Sequence, residues 1–217
     1  MSSLWVALAP VLLAAMISPA RTLAVIILLH TPRSWRTASA FVVGMVVVMM
    51  LQGIAFGLGM SLLGLATADR ADDASIVAGV LYVIGGILLL TGAYRFAVAD
   101  APGGGQLAGV MRKLESVQPR VAMRIGGGWL LASPKQWVFV NTAVAVIYAA
   151  QVAPGVAIGS FLIFTILSQL AYAIVIVGFV LAHDRVSPLL DAAFAWLRDH
   201  LQRVVVVLFS LLGVLLV

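Results

Sequence analysis

The sequence predicts an all-α integral membrane protein, with six transmembrane helices arranged as two inverted three-helix repeats and with interfacial amphipathic helices beside them. Two observations predict the membrane class. Of 217 residues, 63% are hydrophobic and 10% are charged, with a mean hydropathy of +1.15, whereas soluble domains carry about 25% charged residues. Apolar runs also recur along the chain, each near the ~20 residues that a helix needs to cross a bilayer.

Six segments fit helical crossings: 4–29, 38–65, 76–98, 129–150, 156–182 and 204–217. The first could be a cleaved signal peptide, but no Lys or Arg precedes it, so we interpret it as a span. The last has only 14 residues. It either begins inside a preceding amphipathic helix, which Ser187 and Pro188 would start, or the natural protein continues beyond Val217.

The whole chain, 1–217, is predicted to form one transmembrane domain. Residues 1–100 form the first three-span repeat, 101–128 a cytoplasmic connector with an amphipathic helix, and 129–217 the second repeat. A shift of 115 positions places Ser18-Pro19 on Ser133-Pro134 and Gly44 on Gly159. Because each half has three spans, the second half enters from the opposite side, and such inverted repeats are common in transporters.

The Lys and Arg residues in the predicted loops lie mostly on one side of the membrane. Ten fall in the loops after the first, third and fifth spans, counting Arg95 at the end of the third span, and one, Arg70, falls on the opposite side. Cytoplasmic loops carry the excess of Lys and Arg. We therefore predict a multi-pass protein of the plasma (inner) membrane with both termini extracytoplasmic.

Arg21 and Lys135 lie inside predicted spans, where a cation costs about 2.5–3.5 kcal/mol, and every Asp and Glu falls in a predicted loop. Each cation follows a Ser-Pro break, and an anionic headgroup would neutralise it. The alternative is a side chain that snorkels to the lipid headgroups. The predicted substrate-binding set adds the break residues and polar residues of the spans, which hydrogen bonds between helices explain equally well: Ser18, Pro19, Ser133, Pro134, Gln136, Gln52, Asn141 and Gln169, with Ser168 and Tyr172 as further lining residues.

No catalytic residue, metal site or cofactor is predicted, and the chain is expected not to be an enzyme. It has no cysteine. The glycine runs 103–105 and 126–128 lack the Gly-Lys-Ser/Thr of a phosphate loop. The three histidines lack the spacing of metal ligands, and the basic residues follow membrane topology rather than a nucleic-acid surface.

Several short motifs share an arrangement: Ile17-Ser-Pro-Ala-Arg-Thr-Leu23 with Thr31-Pro-Arg-Ser-Trp-Arg36, then Leu131-Ala-Ser-Pro-Lys-Gln136, then Phe194-Ala-Trp-Leu-Arg-Asp-His200. In this arrangement the chain resembles the Sap/GAP family, the sulfolipid- and glycopeptidolipid-addressing proteins of mycobacteria, which are grouped in the LysE exporter superfamily. The resemblance implies export of a lipid or glycolipid of the actinobacterial cell envelope across the plasma membrane.

The partners that the resemblance implies are membrane lipids, the lipid or glycolipid substrate and, as open candidates, a larger lipid transporter or a second copy of the chain. The resemblance identifies no site residues, so the predicted site residues follow from the physical argument alone. Two other functions stay open: an exporter of a small amphiphilic solute such as an amino acid, and a non-transporting scaffold of a lipid-export complex.

Overall fold

A computed structural model describes residues 2–31, 34–64, 71–98 and 117–216. In these ranges the regular structure is all helical, which confirms the predicted fold class. The eight described helices are α1 (Ser2–Met16), α2 (Pro19–Leu29), α3 (Ser34–Leu62), α4 (Ala71–Val98), α5 (Pro119–Leu131), α6 (Pro134–Ala149), α7 (Pro154–Leu181) and α8 (His183–Leu216).

Four helices are long and apolar enough to cross a membrane singly: α3, α4, α7 and the Asp199–Leu216 part of α8. Two pairs of shorter helices, each bent at a break, are long and apolar enough to form two further crossings. Helices α1 and α2 meet at 53°, and α5 and α6 meet at 75°, each across a short break. The chain is thus a multi-pass membrane protein with up to six crossings.

Both bent pairs break at the predicted Ser-Pro positions. Proline has no N–H, so it leaves the carbonyl four residues earlier without its helical partner, and it suits the first position of a new helix. Accordingly α2 begins at Pro19 and α6 begins at Pro134. The helix before the second break begins at Pro119, ten residues before the predicted start of the fourth span at Trp129.

The C-terminal helix α8 is continuous over 34 residues, about 50 Å at 1.5 Å per residue, and so exceeds the ~30 Å hydrocarbon core. The separate amphipathic helix predicted from Ser187 is wrong, because α8 begins at His183 and includes Pro188. The apolar segment long enough for the last crossing, Asp199–Leu216, is the C-terminal part of this one helix. The stripe that keeps the helix against the bundle is buried or half-buried: Leu190, Phe194, Leu197 and Leu201.

Most of the connector predicted at 101–128, with its amphipathic helix, lies outside the described residues. Whether any amphipathic segment lies in the membrane interface stays a prediction.

Glycines allow α3 and α5 to approach until their backbones touch. A Cβ atom added at Gly44 would lie 2.0 Å from the carbonyl oxygen of Met123, and one added at Gly126 would lie 2.1 Å from that of Phe41. Small residues commonly permit such contacts between transmembrane helices. Gly126 and Gly127 of this run therefore contribute to helix packing.

Contacts between the two halves bear on the predicted repeat. The second-span helices α3 and α7 pack on each other, and so do the third-span helices α4 and α8. Gly159, however, has open space around it, although the 115-residue shift aligns it with the tightly packed Gly44. The inverted repeat and its twofold axis stay predictions.

The membrane side of each loop can be tested with single cysteines, because the native chain has none. We expect Ser75→Cys, near the start of α4, to react with an impermeant maleimide in intact cells. Ser116→Cys, at a position outside the described residues, should react only after permeabilisation, because its loop carries the cation excess. Labelling of both positions from the same side would contradict six crossings.

Candidate functional site

Arg21 is buried inside the protein, with 2% of its surface exposed. Its Nη2 donates a 3.0 Å hydrogen bond to the carbonyl oxygen of Ala15. This is the carbonyl that Pro19 leaves without a helical partner, because Ala15 lies four residues earlier. Nη1 has no partner among the described residues. A snorkelling side chain would end at an exposed surface, so the structure contradicts that alternative for Arg21.

A side chain of α7 contacts the break between α1 and α2. The Tyr172 hydroxyl donates a 3.3 Å hydrogen bond to the carbonyl oxygen of Met16, and Cζ of Arg21 lies 5.9 Å from the tyrosine ring centroid. An aromatic ring attracts a cation but does not neutralise it. In the described part of the chain, no carboxylate lies within 4 Å of the guanidinium. The charge of Arg21 is therefore held in place without a counter-ion.

Lys135, the second predicted cation, has different surroundings. It is half-buried, and its Nζ lies 4.7 Å from the centroid of the Phe209 ring of α8. Helix α1, which precedes the first Ser-Pro break, packs against α6, which follows the second. That the two breaks and both cations lie together stays a prediction.

Gln136 lies two residues after Pro134, just as Arg21 lies two residues after Pro19. It is 1% exposed, and neither its amide nitrogen nor its amide oxygen has a partner in the described part of the chain. By position Gln136, rather than Lys135, is therefore the counterpart of Arg21. A search for charged residues pairs Arg21 with Lys135. Counting two residues onward from Pro19 and from Pro134 pairs Arg21 with Gln136 instead.

Three further polar side chains that were predicted for the site carry atoms without partners among the residues described. Gln52 of α3 is buried and has neither amide atom paired. Gln169 of α7 donates to the sulfur of Met49 and to the hydroxyl of Ser168, both at 3.2 Å, and leaves its oxygen unpaired. The half-buried Asn141 leaves its oxygen unpaired.

Buried polar atoms in proteins nearly always have a hydrogen-bond partner. Among the four amide side chains Gln52, Gln136, Asn141 and Gln169, only Gln169 has a hydrogen-bond partner on another helix within the described residues, and this partner is the weakly accepting thioether of Met49. The unpaired amides and the free Nη1 of Arg21 therefore mark positions where water or polar groups of a substrate would bind. Sequence reasoning missed two more such positions, the hydroxyls of Thr37 and Thr165, because a helical threonine ordinarily bonds to its own helix.

The residues of the two breaks differ in burial. Ser18 and Pro19 are buried, whereas Ser133 is half-buried and Pro134 is exposed. Neither serine hydroxyl caps the helix that follows it. The first break therefore lies inside the protein and the second lies nearer its surface.

The model of the family described as Sap, sulfolipid-1-addressing protein, matches residues 8–217. The chain belongs to the Sap family. The resemblance found in the sequence motifs is thereby confirmed. No curated protein and no solved structure shows significant similarity to the chain. The Sap family is not known as an enzyme family, and its description connects this membrane protein with the addressing of a sulfolipid.

This Sap family chain also has a groove on the side of its helix bundle, between α3, α6 and α7. Its volume is about 410 Å³ and most of its lining is apolar. Three lining residues on its rim, Ile54, Leu58 and Ile158, are 58%, 60% and 64% exposed. Because α3 and α7 have the hydropathy of membrane spans, the groove opens sideways toward lipid.

Proposed function

We propose that this Sap family member exports a lipid or glycolipid of the cell envelope across the plasma membrane, and that Arg21 binds an anionic group of its headgroup. Arg21 is the observation that carries the proposal. It is fully buried, it is fixed at the Ala15 carbonyl, and it keeps one guanidinium nitrogen unpaired. A charge inside a membrane span is costly and usually functional, and a guanidinium suits carboxylate, phosphate or sulfate groups.

The proposed headgroup site takes its residues from α2, α3, α6 and α7. Tyr172, which contacts Arg21, lies one helical turn from Gln169, and Gln169 contacts Met49 of α3. Gln136 adds an unpaired amide from α6. Interrupted helices at matching positions of two halves are typical of substrate sites in transporters with inverted repeats. The inverted repeat, the extracytoplasmic termini and the relation to the LysE superfamily belong to this proposal.

The side groove supports a lipid rather than a small solute as the substrate. A lipid leaves a transporter sideways between helices, whereas an amino acid needs an enclosed path. The groove between α3, α6 and α7 is open at its side and apolar along most of its lining. The amphiphilic-solute exporter is therefore the weaker candidate.

Binding of a lipid with an anionic headgroup can be measured with the purified full-length chain in a neutral detergent. We expect native mass spectrometry to show about ten-fold tighter binding of phosphatidylglycerol than of phosphatidylcholine with the same acyl chains, because hydrogen bonds to charged groups contribute about 1.5–3 kcal/mol. Arg21→Gln should remove the difference. Equal binding of the two lipids by the native chain would contradict an anion site and would favour the scaffold.

The unpaired amides provide a further prediction. Gln52→Met and Gln136→Met should leave the thermal stability unchanged or raise it, because an apolar side chain of similar size removes unpaired buried polar atoms. Export should nevertheless fall, because the same atoms would bind the headgroup. Thermal unfolding in detergent and the surface lipid content of cells measure the two effects. Lower stability with normal export would show that the amides are structural.

A further inference from the structure

The apolar part of the side groove owes its shape to two glycines of α3. A Cβ atom added at Gly57 would lie 3.6 Å from the hydroxyl of Tyr148, an ordinary contact, so the position is open to the groove. At Gly53 an added Cβ would lie 2.1 Å from the ring of Phe161, so the missing side chain leaves room for that ring. Both glycines line the groove.

The end of the groove near the connection between α6 and α7 carries polar side chains among apolar ones. There it adjoins a second cavity of about 360 Å³, lined in part by Ser61, Tyr148 and Gln151. The Tyr148 hydroxyl donates a 2.8 Å hydrogen bond to the carbonyl oxygen of Gly57, and the Gln151 side chain donates a 2.9 Å bond to the carbonyl oxygen of Tyr148. The lining residues of both cavities include no Asp, Glu, Lys, Arg or His.

Gln151 occupies this polar end in a strained conformation. Its φ is +48°, in the left-handed region, where a helix C-terminus ordinarily has glycine. Strained residues cluster at functional sites. The presence of a long amide side chain at this position, where it lines the cavity, points to a function of the side chain rather than of the backbone.

We propose that the groove is the release site of the exported lipid. One hydrocarbon chain lies along Gly53 and Gly57, and the uncharged ester, amide or hydroxyl groups next to the chain lie against Ser61, Tyr148 and Gln151. The hydrocarbon chain matches the apolar lining within the spans, and the polar groups match the uncharged end at the membrane boundary. That the occupant is the exported lipid rests on the export function proposed above, whereas occupancy by a lipid chain does not.

A photoactivatable diacylglycerol, with a diazirine on one acyl chain, tests the occupancy in the purified full-length protein. We expect saturable crosslinks on Ile54, Leu58 or Leu162, which line the groove. Gly57→Leu should reduce them about ten-fold by filling the space of several methylene groups. Gly59→Leu is the matched control, because it makes the same change on the same helix where an added Cβ meets nothing within 4 Å.

A second variant keeps the test independent of the folding of Gly57→Leu. Gln151→Gly should raise the thermal unfolding temperature, because glycine adopts the left-handed conformation without strain, while it lowers export by about ten-fold through loss of the polar contact. Export is measured as the ratio of surface lipid to total lipid in cells.

Loss of crosslinks in Gly57→Leu but not in Gly59→Leu, together with loss of export in Gly57→Leu and Gln151→Gly, supports the release site. Non-saturable crosslinks that are equal in both leucine variants show ordinary contact with bilayer lipid and overturn it. Normal export in Gly57→Leu and Gln151→Gly also overturns it and leaves the export function standing. Groove crosslinks in a native protein that exports no lipid overturn the export function and the release role together, while lipid occupancy stands.

Discussion

Arg21→Gln is expected to abolish lipid export while the protein remains inserted and abundant in the membrane. Glutamine keeps a hydrogen-bond donor for the Ala15 carbonyl, which Arg21 now bonds, so the break between α1 and α2 retains a partner. It removes the charge that the headgroup would meet. Loss of one partner of a buried, hydrogen-bonded charge pair costs about 2–5 kcal/mol, so export should fall by about 30-fold or more.

Two variants sharpen the Arg21 test. Arg21→Lys keeps the charge but loses the planar donor fork, so it should retain partial export. Arg124→Gln removes an arginine that is exposed on α5 and should export normally. Surface and total lipid extracts, normalised to the amount of protein in the membrane, provide the measurement. Normal surface delivery by a well-expressed Arg21→Gln variant would assign Arg21 a structural role.

Gly126→Ala is expected to have the largest effect on folding. The added methyl carbon would lie 2.1 Å from the carbonyl oxygen of Phe41, and a backbone atom cannot move aside as a flexible side chain can. Overpacking costs about 1–3 kcal/mol in ordinary cores, occasionally more, and here α3 and α5 must separate along their whole contact. We expect most of the solubilised protein to aggregate or to unfold at a lower temperature.

Gly128→Ala is the matched control, because an added Cβ at this position of α5 meets nothing within 4 Å. It should be neutral or slightly stabilising, since alanine favours a helix by about 1 kcal/mol over glycine. Size-exclusion profiles and thermal unfolding of the two purified variants provide the measurement. Equal behaviour of the two variants would contradict the close packing of α3 against α5.

The crossings and their breaks could be predicted from the sequence because their causes are local. Hydropathy marks a span, and the missing N–H of a proline breaks a helix wherever it falls inside one. Even the hydrogen bond from Arg21 to Ala15 follows from this rule, since the freed carbonyl lies four residues before Pro19. The family could be recognised because the order of short motifs along the chain carries it.

Features that depend on tertiary contacts could not be predicted in the same way. The continuity of α8 from His183 through Pro188 differs from the local tendency to begin a helix at Ser187. The unpaired amide of Gln136 and the hydroxyl of Thr165 depend on what the neighbouring helices place beside them. Charge alone puts Lys135 in one class with Arg21, but Arg21 is buried and Lys135 is half-buried, a difference that the sequence does not show.

The central claim is that this chain moves a lipid across the membrane, and the most direct measurement compares surface and total lipids. Cells of the source organism with the gene deleted, and the same cells with the gene restored, are extracted mildly for surface lipids and completely for total lipids. Export predicts that one lipid class with an anionic headgroup disappears from the surface extract, persists in the total extract and returns on restoration. An unchanged surface extract, or a parallel loss of that lipid from both extracts, would contradict the account.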